Sequence, residues 1–210
     1  ILLAQLLNNK HLKLRGLFRT CVFLPCATSL VSYSLIFRSM FATDGLINSI
    51  LMKLGILHSG YNFLGHSGSA KAVIILALIW RWTGYNMVFY LAGLQNIEYS
   101  VYEAAKIDGA SDREILFKIK LPMVMPSITI CTFLTLTNSF KLFDQNVALT
   151  AGEPANASEM LALNIYNTFY GRSGAQWKGI GQAKAVVFFL IVVVISLIQL
   201  HFTRSKEVQQ

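Results

Sequence analysis

Apolar and polar positions along this chain fall in long blocks rather than in short periods. Four blocks, residues 17–41, 70–97, 121–143 and 183–203, carry few or no charges, and each reaches the roughly 20 residues that a helix needs to cross a bilayer. Each is expected to be a helix, because hydrocarbon offers no partner to a free backbone amide or carbonyl. A buried helix of a large soluble protein would explain one such block, but not four in 210 residues. The opening ILLAQLL is apolar yet too short to span, so it reads as the tail of a truncated span. The expected fold class is an all-α membrane protein. Its helical bundle is polytopic, with four full spans plus that tail, in a single transmembrane domain over residues 1–210.

Composition agrees: 54% of residues are hydrophobic, 13% are charged, and the mean hydropathy is +0.53, outside the range of a soluble globular domain. The net charge of +8 does not indicate nucleic acid, since the basic residues are neither gathered on one stripe nor interleaved with stacking aromatics. Cys21, Cys26 and Cys131 lie inside apolar runs without CxxC or His-linked spacing, so they predict small buried side chains rather than disulfides or a zinc site. His58 and His66 share a loop with no third ligand nearby, and no metal is expected there.

Sidedness follows from lysine and arginine near the span ends. Lys10, Lys13, Arg15 and Arg19 precede the first full span, Lys106, Arg113, Lys118 and Lys120 fill the connection between the second and third, and Arg204 and Lys206 follow the fourth. The other side holds Arg38, Lys53, Lys71, Lys141, Arg172, Lys178 and Lys184, spread over longer connections. The denser side is expected to be cytoplasmic. Residues 98–120 are then cytoplasmic, and the loops 42–69 and 144–182 face outward.

The cytoplasmic stretch is the most informative part of the chain. Residues 103–126, EAAKIDGASDREILFKIKLPMVMP, form a charge-dense, glycine-broken segment between two spans. A short helix over 98–107 should stop at Asp108 and Gly109, where glycine takes a positive φ at little steric cost. Ser111 with Glu114 three residues on predicts a capping box and a second short helix over 112–120. Pro122 suits the first turn of the next membrane helix. Ala104 and Ala105 beside Glu103 leave one face with little bulk, which lets another protein's groove approach, and Glu103 can bond a basic group there. Headgroup binding is the competing reading. It is weakened by Glu98, Glu103, Asp108, Asp112 and Glu114, which an anionic leaflet repels.

Glu103, Ala104, Ala105, Asp108, Gly109, Ala110, Ile119, Leu121 and Pro122 resemble the EAA loop of permease subunits from binding-protein-dependent ABC importers. The resemblance is closest to the sugar permease branch, which includes maltose, lactose and glycerol phosphate transporters. FRTCVFLP at 18–25, IWRWTGYNMVFYLAGLQNI at 79–97 and FKLFD at 140–144 also look like that branch, so the likeness covers almost the whole chain. The chain departs from the pattern at Glu153, where a second glycine is common, at Arg81, where an uncharged polar residue is usual, and in lacking further membrane sequence before the first full span.

The resemblance implies a membrane-spanning, multi-pass subunit of an ATP-driven importer in the bacterial inner membrane, with a carbohydrate as substrate. It implies a cytoplasmic ATPase dimer, a second permease that is a different chain, and an extracellular solute-binding protein as partners. The coupling residues would be Glu103, Ala104, Ala105, Asp108, Gly109, Ala110, Leu121 and Pro122. No GxxxxGK loop is present, so ATP would be handled by the partner, and neither enzymatic activity nor a cofactor is expected of this chain.

Candidates along the substrate path are Arg81, Trp82, Tyr85, Asn86, Tyr90, Asn138, Lys141 and Asp144. An intramembrane charge such as Arg81 is costly and marks a functional hypothesis. Either it lines a water-filled path and meets a sugar hydroxyl or phosphate, with Trp82 or Tyr85 stacking on the sugar, or it bonds helix carbonyls or snorkels outward. The other polar residues suit either ligand contact or interhelical bonds. Asn164, Tyr166, Asn167 and Tyr170 could meet substrate or binding protein, or pack on the bundle. An intramembrane enzyme would need clustered acid, base or metal ligands near one interface. A secondary transporter would show ionisable residues at the midplane and a repeated half. Neither pattern is visible, and a permease for a non-sugar solute is disfavoured by the resemblance alone.

Overall fold

The computed structural model describes residues 1–9 and 12–205. Lys10 and Lys206, counted above for sidedness, lie outside the described residues. In chain order the helices are α1 (Leu2–Leu7), α2 (Arg15–Ala27), α3 (Leu30–Met40), α4 (Leu46–Lys53), α5 (Ser67–Gln95), α6 (Tyr99–Ile107), α7 (Asp112–Glu114), a π-helical turn (Ile115–Lys120), α8 (Leu121–Met123), α9 (Met125–Phe140), α10 (Phe143–Leu149), α11 (Leu161–Tyr170) and α12 (Ala175–Arg204). No strand occurs among the described residues.

Two of the four expected spans are single unbroken helices. Block 70–97 lies on α5 and block 183–203 lies within α12. The other two are corrected by the structure. Block 17–41 breaks between α2 and α3, where Ser29 takes ψ 136, outside the helical range. Pro25 inside α2 removes an amide donor one turn earlier. Block 121–143 bends by 63° between the helical stretch ending at Met123 and α9. Pro122 and Pro126 each withdraw a donor around that bend, and a π-turn precedes it, both recognised causes of helix kinks. The described residues thus hold two helices long and apolar enough to cross a membrane, or up to four spans if each bent pair counts as one.

The chain folds into two compact units, one formed by Ile1–Cys26, Trp82–Thr137 and Val193–Gln210, the other by Ala27–Arg81 and Asn138–Val192. The first is built on Ala4, Leu7, Met87, Leu91, Leu94, Ile97 and Val124, all buried. Two glycines let backbones approach in it. A Cβ on Gly84 would stand 2.0 Å from the Val22 carbonyl oxygen, and one on Gly93 would stand 2.5 Å from Ser127 Oγ. The second unit is built on Tyr33, Phe37, Phe41, Val73, Ile74, Ala77 and Leu149. Buried amides hold its loops. Asn48 donates to the carbonyls of Ala42 and Tyr61, both at 2.8 Å, and accepts from the Tyr61 amide. Asn146 donates to Ser158 O and accepts from the Met160 amide, both at 2.9 Å. Such bonds are required of polar groups that have left water. Of the cysteines, Cys131 is buried as expected, whereas Cys21 is exposed on the isolated chain.

Candidate functional site

The segment around Glu103 folds as a helix, a tight turn and a second helix. α6 ends in a Schellman motif, with Gly109 at φ +77. The Ala110 amide reaches Ala105 O at 3.0 Å and the Gly109 amide reaches Lys106 O at 3.1 Å, which satisfies two carbonyls the helix leaves open. α7 starts in a complete capping box. The Glu114 amide donates to Ser111 Oγ at 3.4 Å and the Ser111 amide donates to Glu114 Oε2 at 3.1 Å. Lys118 Nζ lies 2.9 Å from Glu114 Oε1. The Lys118 ammonium and the Ser111 donors hold the Glu114 carboxyl down to about 2. The two short helices are cross-braced by Lys120, whose ammonium stands 5.3 Å from the Tyr102 ring centroid.

One expectation for this segment is corrected. Glu103 and Ala104 are exposed, but Ala105 is turned inward at 7% exposure. The neighbouring Val101 and Tyr102 pack on the core of the first unit, and that fixes the rotation of α6. The open face is therefore Ser100, Glu103, Ala104, Ile107 and Asp108, a set at helical spacing. Ile107, which sequence reasoning did not single out, is 85% exposed at the end of that face. Gly109 is exposed, while Ala110, Leu121 and Pro122 are partly buried. The expected second helix is present over 112–120, but its last six residues form the π-turn.

The candidates for a substrate path lie in both units. In the first, Trp82 and Tyr85 meet edge to face at 5.3 Å, and Tyr85 lies 5.0 Å from Phe89. Asn86 exchanges hydrogen bonds with Thr135 at 3.2 and 3.3 Å, the interhelical use of such a residue. Tyr90 packs against the core. In the second unit the Arg81 guanidinium carbon stands 5.0 Å from the Tyr33 ring centroid. Lys141 and Asp144 are exposed near the junction of α9 and α10, and Asn138 is half-buried on α9.

Also in the second unit, Asn164 and Asn167 donate to the two Glu159 carboxylate oxygens at 2.7 and 2.6 Å. Lys184 donates to Asn164 Oδ1 and Thr168 Oγ1, both at 2.8 Å. These amides serve to fasten α11. Tyr166 and Tyr170 instead line a cavity of about 410 Å³ with Phe143, Phe169 and Gln182. Glu159 and Lys184 gave no signal as a pair in the sequence, because 25 residues separate them and both act through a third side chain.

Residues 1–208 match the family described as binding-protein-dependent transport system inner membrane component. The chain is 42% identical to the lactose transport system permease protein of Rhizobium radiobacter, over 99% of this chain and 70% of the relative. It is 38% identical to a probable starch degradation products transport system permease protein of Thermoanaerobacterium thermosulfurigenes, over 99% of this chain and 68% of that one. Among solved structures it is similar to a chain of a bacterial ABC transporter that imports the acidic polysaccharide alginate. That likeness has a TM-score of 0.85 and 25% identity, covering 97% of this chain and 71% of the other. A second structure of the bacterial alginate transporter, in complex with a periplasmic protein carrying an alginate pentasaccharide, is equally similar.

Proposed function

The chain belongs to the family of binding-protein-dependent transport system inner membrane components, and on that premise we propose that it is the membrane-spanning subunit of an ATP-driven carbohydrate importer. A solute-binding protein delivers a saccharide to the outer face, and a cytoplasmic ATPase dimer drives this subunit and a second, different permease between outward and inward openings. The protein sits as a multi-pass chain in a bacterial inner membrane, with residues 98–120 on the cytoplasmic side.

The observation that carries this reading is the open face of α6. Glu103, Ala104 and Ile107 present one charge, one small side chain and one apolar knob, and the turn at Gly109 holds them close to the apolar helices that follow. That combination suits insertion into a protein groove, where Glu103 bonds a basic side chain and Ile107 loses its contact with water. Motion of the ATPase subunits then passes through the braced pair of short helices to α9. Support for a carbohydrate comes from relatives named for lactose and starch products and from the alginate importers. Trp82 and Tyr85 supply aromatic faces of the kind that stack on sugar rings, and Asn86, Tyr90, Asn138, Lys141 and Asp144 complete the polar lining.

Glu103→Lys in the intact complex tests the coupling role. Uptake into vesicles is expected to fall to background while the subunit still reaches the membrane, and unchanged uptake removes Glu103 from that role. Identifying the solute on the complex's own binding protein tests the carbohydrate assignment.

A further inference from the structure

Arg81 occupies the midpoint of α5, fourteen residues from each end of Ser67–Gln95, or roughly 21 Å at the helical rise of 1.5 Å per residue. A cation at that depth needs a counter-charge or an aqueous path. Among the described residues the one ion pair is that of Glu114 with Lys118, so no carboxylate neutralises Arg81. What it has is the face of Tyr33 at 5.0 Å.

The Tyr33 hydroxyl lies beside both the Arg81 guanidinium and the Ser34 hydroxyl. None of these meets hydrogen-bond geometry, and Arg81 Nη1, Tyr33 Oη and Ser34 Oγ are all buried without a partner. Tyr33 and Ser34 are 1% and 0% exposed. The surroundings are aromatic: Trp80 lies 6.1 Å from Tyr33 and 5.4 Å from Phe37. Three groups able to donate, one of them charged, converge in an apolar wall with nothing to accept from them, although buried polar groups are as a rule satisfied.

We propose that Arg81, Tyr33 and Ser34 form a binding site for a carboxylate borne by the transported saccharide, so that this subunit is built to pass an acidic sugar. A neutral hydroxyl could accept one of these bonds but would leave the guanidinium uncompensated. A carboxylate offers two planar oxygens to the guanidinium fork and further lone pairs to the two hydroxyls. The inference rests on the reading of the chain as a carbohydrate importer subunit, and it adds the charge of the substrate.

The test uses the intact complex with its own binding protein, reconstituted in vesicles. It is supplied with pairs of oligosaccharides that differ only in a C6 carboxylate against a C6 hydroxymethyl group. Uptake of an acidic member is expected in the unaltered complex. Arg81→Gln should lower it at least tenfold, and Tyr33→Phe, which keeps the ring, should lower it severalfold. Arg81→Lys should retain most of it. An equal loss for acidic and neutral members, or import of neutral members alone, overturns the proposal. If Arg81→Gln does not assemble, the Tyr33→Phe and Ser34→Ala complexes decide by the same comparison. Replacing chloride by gluconate separates the sources of anion: a change in neutral-sugar uptake that disappears in Arg81→Gln assigns the site to an inorganic ion and overturns the solute carboxylate. Import of an anionic non-carbohydrate that depends on Arg81 would overturn the carbohydrate reading while leaving the anion site in place.

Discussion

Gly109 offers the cleanest perturbation of the cytoplasmic segment. Its φ of +77 is a left-handed conformation, and a Cβ added there meets nothing within 4 Å. A substitution therefore acts through the backbone alone, without a clash to confuse the result. Left-handed geometry costs an L-residue about 1–2 kcal/mol, and a β-branched side chain lies at the upper end. Taking about 2 kcal/mol for Gly109→Val, the population holding both Schellman bonds falls roughly 30-fold relative to open forms. If only the closed turn engages the ATPase, apparent affinity for it falls by the same factor. Gly109→Asn is the control, because asparagine tolerates this conformation. The assay is solute imported per ATP hydrolysed in reconstituted vesicles, with retention of the ATPase through purification as a second reading. Valine should uncouple the two and weaken retention, and asparagine should stay near the unaltered protein. Equal behaviour of valine and asparagine, or normal coupling with valine, refutes the reasoning.

Three further outcomes follow from neighbouring features. Ile107→Asp places a charge on the exposed knob of α6, so it should reduce ATPase retention at least tenfold without altering the chain's thermal unfolding; a shift in unfolding with intact retention would assign Ile107 to the fold. Glu114 has a carboxyl held down to about 2 from an ordinary 4.5, so its contribution to the capping box is fully present above about 4.5 and is lost as pH falls through about 2. Amide exchange over residues 111–118 should therefore be equally protected at neutral pH and at pH 5, and loss of protection between those values would contradict the assignment. Gly84→Ala drives a methyl into the Val22 carbonyl at 2.0 Å, and should destabilise the first unit by about 1–3 kcal/mol, read as a lower unfolding temperature of the purified complex.

The cytoplasmic segment was legible because its determinants are local. Gly109 stops one helix and Ser111 with Glu114 starts the next within six residues, and each bond spans at most five positions. The rotation of α6 was not legible, since Ala104 and Ala105 are chemically identical and only the packing of Val101 and Tyr102 decides which faces inward. The breaks in two apolar blocks were missed because hydropathy averages over Pro25, Pro122 and Pro126 without registering their missing donors. Asn86 was singled out correctly as polar, but its partner Thr135 lies 49 residues away, and no local pattern names it. Tyr33 and Ser34 passed as ordinary residues of a span, because what distinguishes them is the absence of a partner, a property that exists only in three dimensions.

The π-turn at Ile115–Lys120 sets a constraint of its own. There the Leu121 amide reaches back five residues to Leu116 O instead of four, so the helix carries one surplus position. Excising any single residue from that stretch would let the ordinary pattern close, and would rotate everything downstream by about 100°. Thr129 and Cys131, both buried, would then swing toward the outside. Substitutions in this stretch can be tolerated on its solvent side, but its tally of amino acids cannot change without dephasing the rod that follows.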